Sequence, residues 1–137
     1  MNKGDFRKNI LIHAKNSCLH QGDLSIDSVK RYVRAFDYIM NKDDSPLNCQ
    51  DVINLGYIIS KKNNGFRCTP AEFQNGDKGV HYTYIRRLVE DLCIARKEYR
   101  VTAYEFYNEF EKIHPFNDGN GRVGEIINYH MTRYWRI

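Results

Sequence analysis

Residues 112–125 read KIHPFNDGNGRVGE. Within this stretch stand the side-chain types that phosphate chemistry requires. His114 is an imidazole that can take a proton near neutral pH. Asp118 is a carboxylate of the kind that holds Mg²⁺ beside phosphates. Gly119, Asn120 and Gly121 tolerate unusual backbone dihedrals, so that several N–H groups can converge on an anion. Arg122 opens the following helix, whose N-terminus adds positive partial charge to the planar fork of the guanidinium. The competing reading is an ordinary polar turn, for which N-D-G-N-G is common chemistry. The bracketing of that turn by His114 and Arg122 favours a site. The loop is not a Walker A sequence, because no Gly-Lys-Ser/Thr follows it. It is not a dinucleotide fingerprint either, because no strand precedes it.

Helices must position these residues. Ala103, Phe106, Tyr107, Phe110 and Ile113 form an apolar stripe that predicts a helix over 102–113. It has to end at His114, because Pro115 disfavours α geometry in the residue before it. Phe116 is the expected anchor of the loop to the core. A last helix is expected from about Arg122 toward Trp135. Upstream, Ile26, Val29, Val33, Phe36 and Met40 predict a helix over 26–40, capped by Asp23 or Ser25. Residues 48–60 read as a further helix, ending near KKNNG. Residues 82–97 carry Ile85, Leu88, Leu92 and Ala95 on one stripe. Only 65–80 lacks this period; with its Asn75-Gly76 turn pair it reads as a small β-hairpin or an extended flap. The expected architecture is all-α, a single-domain bundle with one small hairpin.

The chain has 137 residues, 42% hydrophobic, with a formal charge of +4. That suits one globular domain with a real core. The mild charge permits an anionic ligand, and no dense basic stripe argues for nucleic acid. Cys18, Cys49, Cys68 and Cys93 form no C-x-x-C pair, so zinc or redox motifs are not expected. They read as reduced thiols, mostly packed in the core. The N-terminus has no secretory apolar stretch, and no run is long enough to span a bilayer. His13, His20, His81 and His130 lack a coherent metal spacing. Arg86 and Arg87 read as intrahelical partners of Glu90 and Asp91.

HPFNDGNGR resembles the signature of the Fic family, HPFx(D/E)GNGRxxR, through its first nine positions. The likeness extends to LNCQDVINLGYIISKKNNGFR, similar to the family's helix leading into its flap, and to VTAYEFYNEFEKIHPF before the motif. The resemblance implies a Fic-like helical bundle that transfers a nucleotide-derived group, usually AMP from ATP, to a protein Ser, Thr or Tyr hydroxyl. His114 would be the catalytic base and Asp118 the Mg²⁺ carboxylate. Gly119, Asn120, Gly121 and Arg122 would bind the nucleotide phosphates. The flap would hold an extended segment of the protein target. A cytoplasmic setting, or delivery to a host cytoplasm as an effector, is implied, and an oligomer is compatible with it.

The chain departs from the pattern at Glu125, where the family's second arginine is expected to hold the ATP γ-phosphate. A carboxylate some 5 Å from a phosphate charge costs roughly 3 kcal/mol per unit charge at an effective dielectric of 20. Relatives that transfer other phosphate groups also lack this arginine, but usually carry Ala in place of Gly119. A second departure lies in the N-terminal helix, expected over about 5–22. Its SCLHQG, residues 17–22, is similar to the (S/T)xxxE(G/N) motif of relatives with an autoinhibitory helix. Ser17 and Gly22 match, and Gln21 stands where the inhibitory Glu would pair with the missing arginine. Ser17, Gln21 and Glu125 are therefore the expected regulatory positions. The alternative is a weakly active or inactive module that binds a nucleotide or protein.

Overall fold

The computed structural model describes residues 3–20, 22–23, 25–42, 45–73 and 76–132, with side chains from residue 9 onward. It contains six α-helices: α1 (Lys3–His20), α2 (Ile26–Asn41), α3 (Cys49–Ile59), α4 (Ile85–Lys97), α5 (Ala103–Ile113) and α6 (Asn120–Thr132). A turn of 3₁₀ helix, Tyr82–Tyr84, leads into α4. The expected Trp135 end of α6 lies outside the described residues.

Side-chain caps mark several helix starts. Ser25, rather than Asp23, caps α2 by accepting from the Ser28 N–H. Asn48 and Asp51 form a reciprocal capping box on α3, and Thr102 and Glu105 form one on α5. Such pairs satisfy backbone N–H groups that a helix cannot satisfy internally.

Helix α2 turns inward most of the stripe its sequence suggests, with Val29, Phe36 and Met40 buried and Val33 packed against the core, but not Ile26. Ile26 is 75% exposed, whereas Val29, Tyr32, Ala35, Phe36, Ile39 and Met40 are buried. Tyr32 belongs to the core face because its ring fills the interior while its hydroxyl reaches a carboxylate on α6. This face packs on α3 and α6, and α1 also packs against α2. Helices α4, α5 and α6 follow in sequence, each against the next. Cys18 and Cys93 are in the core, as expected of small apolar thiols. Cys68 is not; it is exposed on the flap. The i,i+4 pairs Arg86–Glu90 and Arg87–Asp91 are present at 3.9 Å each, on the solvent face of α4.

The hairpin expected over 65–80 reduces to one antiparallel bridge, Glu72 with Lys78. Phe73 N–H donates to the Asp77 carbonyl at 2.7 Å, and Gly79 N–H to the Ala71 carbonyl at 2.8 Å. The segment is thus a flap with paired limbs, not a β-ladder among the described residues. Gly76 takes φ +87°, the left-handed turn geometry that its pairing with Asn75 implies.

The α5–α6 loop is pinned from below by Phe116. Its ring lies so close over α3 that a Cβ on Gly56 would sit 2.3 Å from it. Gly56 is therefore the space into which the motif loop is anchored. Replacing it with Ala should lower stability by about 1–3 kcal/mol, the usual cost of overpacking, and shift the loop. A thermal melt indistinguishable from that of the parent would show that Phe116 has room to move.

Candidate functional site

His114 ends α5 in the left-handed region, φ 50° and ψ 63°, a conformation non-glycine residues adopt at some energetic cost. Pro115 keeps the chain from continuing as helix. The carbonyls exposed by this turn are taken up by Arg67. Its Nε donates to the His114 carbonyl at 2.7 Å and its Nη2 to the Ile113 carbonyl at 3.3 Å. The same guanidinium donates to the carbonyls of Thr69 at 2.8 Å and Val80 at 2.6 Å. Arg67 N–H reaches the Pro115 carbonyl at 2.9 Å. One buried cation therefore joins both ends of the flap to the start of the motif loop.

Two asparagines hold the rest of the loop. Asn63, with no solvent exposure, accepts from the Asp118 N–H at 3.1 Å and donates to the Asp118 carbonyl at 2.8 Å and the Gly56 carbonyl at 3.0 Å. Asn120 folds back on Phe116, accepting from its N–H at 2.8 Å and donating to its carbonyl at 2.9 Å. The side chain of Asn120 is thus committed to the loop; what it can offer a ligand is its backbone N–H. Gly119 takes φ +75°, and a Cβ there would lie 2.4 Å from Ile59. Among the described residues no acceptor faces the N–H groups of Gly119, Asn120 or Gly121. These form the open end of α6, where helix geometry leaves donors unpaired and the dipole is positive.

Arg122 is buried, with its side chain 4% exposed, and its Nη2 lies 3.5 Å from the Asp118 carboxylate. Its Nε has no hydrogen-bond partner. Like His114 Nδ1, that atom is sealed from solvent, so what the side chain offers an anion in the cavity is the guanidinium's charge and its remaining donors. The Asp118 carboxylate is 37% exposed and faces a cavity of about 270 Å³ together with Arg122. No group of three or more His, Cys, Asp or Glu side chains gathers among the described residues. Asp118 is the exposed carboxylate beside Arg122 that could take part in holding a cation such as Mg²⁺, which is commonly bound by one or two carboxylates, substrate phosphates and water. The donor set does not suit a metal caged by protein alone.

The His114 ring is covered edge-on by Phe73 of the flap, with centroids 5.0 Å apart. Its Nδ1 is sealed without a partner, which makes Nε2 the nitrogen left for a ligand. Burial, and secondarily the nearby Arg67 charge, hold its pKa below the ordinary value. The ring is therefore neutral near pH 7, the form a general base requires.

Glu125 lies one turn beyond Arg122 on α6. Its carboxylate accepts from the hydroxyls of Tyr32 on α2, Ser17 on α1 at 3.3 Å, and Tyr129 at 3.3 Å. Ser17 of α1 and Glu125 are thus brought together. Gln21 lies outside the described residues. The sequence reading passed over Asn63, Arg67 and Tyr32. Asn63 and Arg67 sit in stretches that read as helix breaker and flap start, and Tyr32 reads as plain core. No local signal marks any of them as supports of residues 47 to 93 positions away.

Together these features define a helical domain with a histidine at one helix end and an anion-ready N-terminus at the next. The chain belongs to the Fic/DOC family, whose model matches residues 49–131. As a family, Fic proteins transfer phosphate-containing groups onto proteins. A Fic family protein from Desulfovibrio desulfuricans G20 superposes with a TM-score of 0.66 at 19% identity, over 93% of this chain and 46% of that one. A Fic domain containing signaling protein from Bacteroides thetaiotaomicron VPI-5482 gives 0.70 at 17% identity, over 95% and 64%. The chain therefore spans roughly half to two thirds of the length of these structures, which it resembles in fold. No match was found among curated proteins.

Removing the Glu125 carboxylate leaves the hydroxyls of Ser17, Tyr32 and Tyr129 without their acceptor. Glu125→Ala should cost about 1–3 kcal/mol and loosen α1 ahead of the rest of the bundle. Amide exchange of α1 measured against α3 checks this; equal protection in parent and variant would mean that α1 is held elsewhere.

Proposed function

We propose that the protein transfers a nucleotide-derived phosphate group to the hydroxyl of a protein side chain, with AMP transfer from ATP as the leading case. The observation that carries this reading is the juxtaposition of a neutral, buried His114 with the open amides of α6 and the buried Arg122. His114 takes the proton of the target hydroxyl as its oxygen attacks the α-phosphorus. The new O–P bond forms as the bond to the departing pyrophosphate breaks. The amides of Gly119, Asn120 and Gly121 and the guanidinium of Arg122 stabilise the charge that develops on the phosphoryl oxygens. Asp118 would hold Mg²⁺, which when bound supplies positive charge across the donor phosphates. The flap edge offers backbone groups to an extended target segment by strand-like pairing, and Phe73 closes it over His114.

The α1 contact gives this site an autoinhibitory element. Ser17 on α1 meets Glu125, one turn along α6 from Arg122, so α1 is fastened to the helix whose start carries the phosphate-binding groups. The second reading is a binding module without turnover. Glu125 is the observation that favours it, because a carboxylate stands where a cation would aid the donor.

Incubation with labelled nucleotides and Mg²⁺ separates the two readings. Label should pass to the protein or an added target, and His114→Ala should abolish transfer while leaving nucleotide affinity nearly unchanged. Retention of more than about a tenth of the rate would exclude His114 as the base, since general bases contribute on the order of 10²–10⁴-fold. The transfer rate should also rise with pH through a midpoint below 6.5, the ordinary histidine value, and then level off. The sign follows from burial: the protonated, inactive form is disfavoured, so the base is lost only in more acidic solution. The same shift makes the fold lose stability as pH drops below 6.5, because the unfolded chain binds that proton more readily. A rate midpoint above 7 would contradict the assignment.

A further inference from the structure

The donor's phosphate chain has two directions in which to leave Arg122, and the groups on either side differ in charge. Toward α1 stands Glu125, whose three donors are neutral hydroxyls. None of them supplies a positive charge to offset a phosphate placed there. Toward the end of α3 lies the cavity of about 270 Å³ that Asp118 and Arg122 face. Its wall on that side is Ser60, Lys61 and Lys62. Both lysines are exposed and neither carries an ion pair among the described residues. Arg31 also borders the cavity, but its guanidinium is committed to Asp27 at 2.9 Å and to the Ile58 carbonyl at 3.2 Å.

The cavity is not uniformly basic. Asp23 and Asp27 line its α2 side. The Asp27 charge is paired with Arg31, and Asp23 is held by hydrogen bonds from the Ser28 hydroxyl and the Ser25 N–H. The α2 wall is therefore acidic and the α3 wall basic, with Arg122 at the base between them. A phosphate chain entering this space is directed toward the lysines.

We infer that Lys61 and Lys62 form the subsite for the terminal phosphates of a nucleoside di- or triphosphate donor, in place of any cation at position 125. This rests on the reading of the protein as a nucleotide-dependent transferase. It adds the direction of the donor and the residues that receive its tail. Lysine suits the task as a mobile point charge at a solvent-exposed cavity edge. The base and ribose would lie outside this cavity, which has room for a phosphate chain and not for a whole nucleotide.

The test is a titration of AMP, ADP and ATP, each with Mg²⁺, into three proteins. These are the parent, Lys61→Gln/Lys62→Gln, and Lys112→Gln as a control for net charge. Lys112 lies on α5, paired with Glu109 at 3.3 Å, and does not line this cavity. The double lysine variant should lose about tenfold in affinity for ATP, equivalent to about 1.4 kcal/mol, and bind AMP as the parent does. The Lys112→Gln protein should stay within about twofold of the parent for ATP, the scale of a weak screened charge effect. Unchanged ATP affinity in the lysine variant would overturn the inference, as would equal weakening of AMP and ATP. If the parent binds none of the three nucleotides, the transferase reading fails and the inference with it. If the parent binds and transfers while the lysine variant binds ATP as well as the parent does, only the inference fails.

Discussion

The loop between α5 and α6 carries backbone groups that no helix can pair, and the site exists only because buried side chains pair them. Pro115 interrupts the helical ladder, and His114 turns through the left-handed region. The carbonyls of Ile113, His114 and Pro115 would be orphaned inside the protein without Arg67. The amide and carbonyl of Asp118 have Asn63, and those of Phe116 have Asn120. Leaving such groups buried and unpaired costs about 1–3 kcal/mol each. The clamp is thus a condition for the loop, not an addition to it.

The clamp also separates structural from chemical duties. Asn63, Arg67 and Asn120 spend their polar atoms on the backbone. That leaves the imidazole of His114, the carboxylate of Asp118, the N–H groups at the start of α6 and one donor of Arg122 facing outward or unpartnered. Preorganisation of this kind matters for phosphoryl chemistry, where the protein contributes position and fixed charge more than covalent help. Arg67 extends the same rigidity to the flap through Thr69 and Val80. The surface that closes over His114 and the loop that holds it share one support.

Glu125 shows how an exchanged charge can be absorbed by its surroundings. On α6 it is one turn from Arg122. Here its acceptors draw hydroxyls from α1, α2 and its own helix into one network. Tyr32 has its phenol pKa raised by burial and by that carboxylate, so it remains a neutral donor. The position thus serves the packing of α1 against the bundle.

Helix periodicity, capping residues and Pro115 made the order of the helices legible in the sequence, because each acts over a few residues. The motif residues were legible for the same reason: His114, Asp118, Gly119 and Arg122 lie on one short segment whose local geometry follows from its own composition. The one-bridge flap and the place of Tyr32 on the inward face of α2 were not. Limb pairing across 71–79 depends on how Arg67 fixes both flap ends, and the burial of Tyr32 depends on where Glu125 receives its hydroxyl. Tertiary structure alone decided which polar residues became supports. Asn63 and Asn64 are adjacent and chemically identical, yet only Asn63 reaches Asp118, 55 positions away, and is fully buried. Sequence sets what each side chain can donate or accept; distant backbone carbonyls and amides, brought near by the packing of α3 against α6, determine which of them are used.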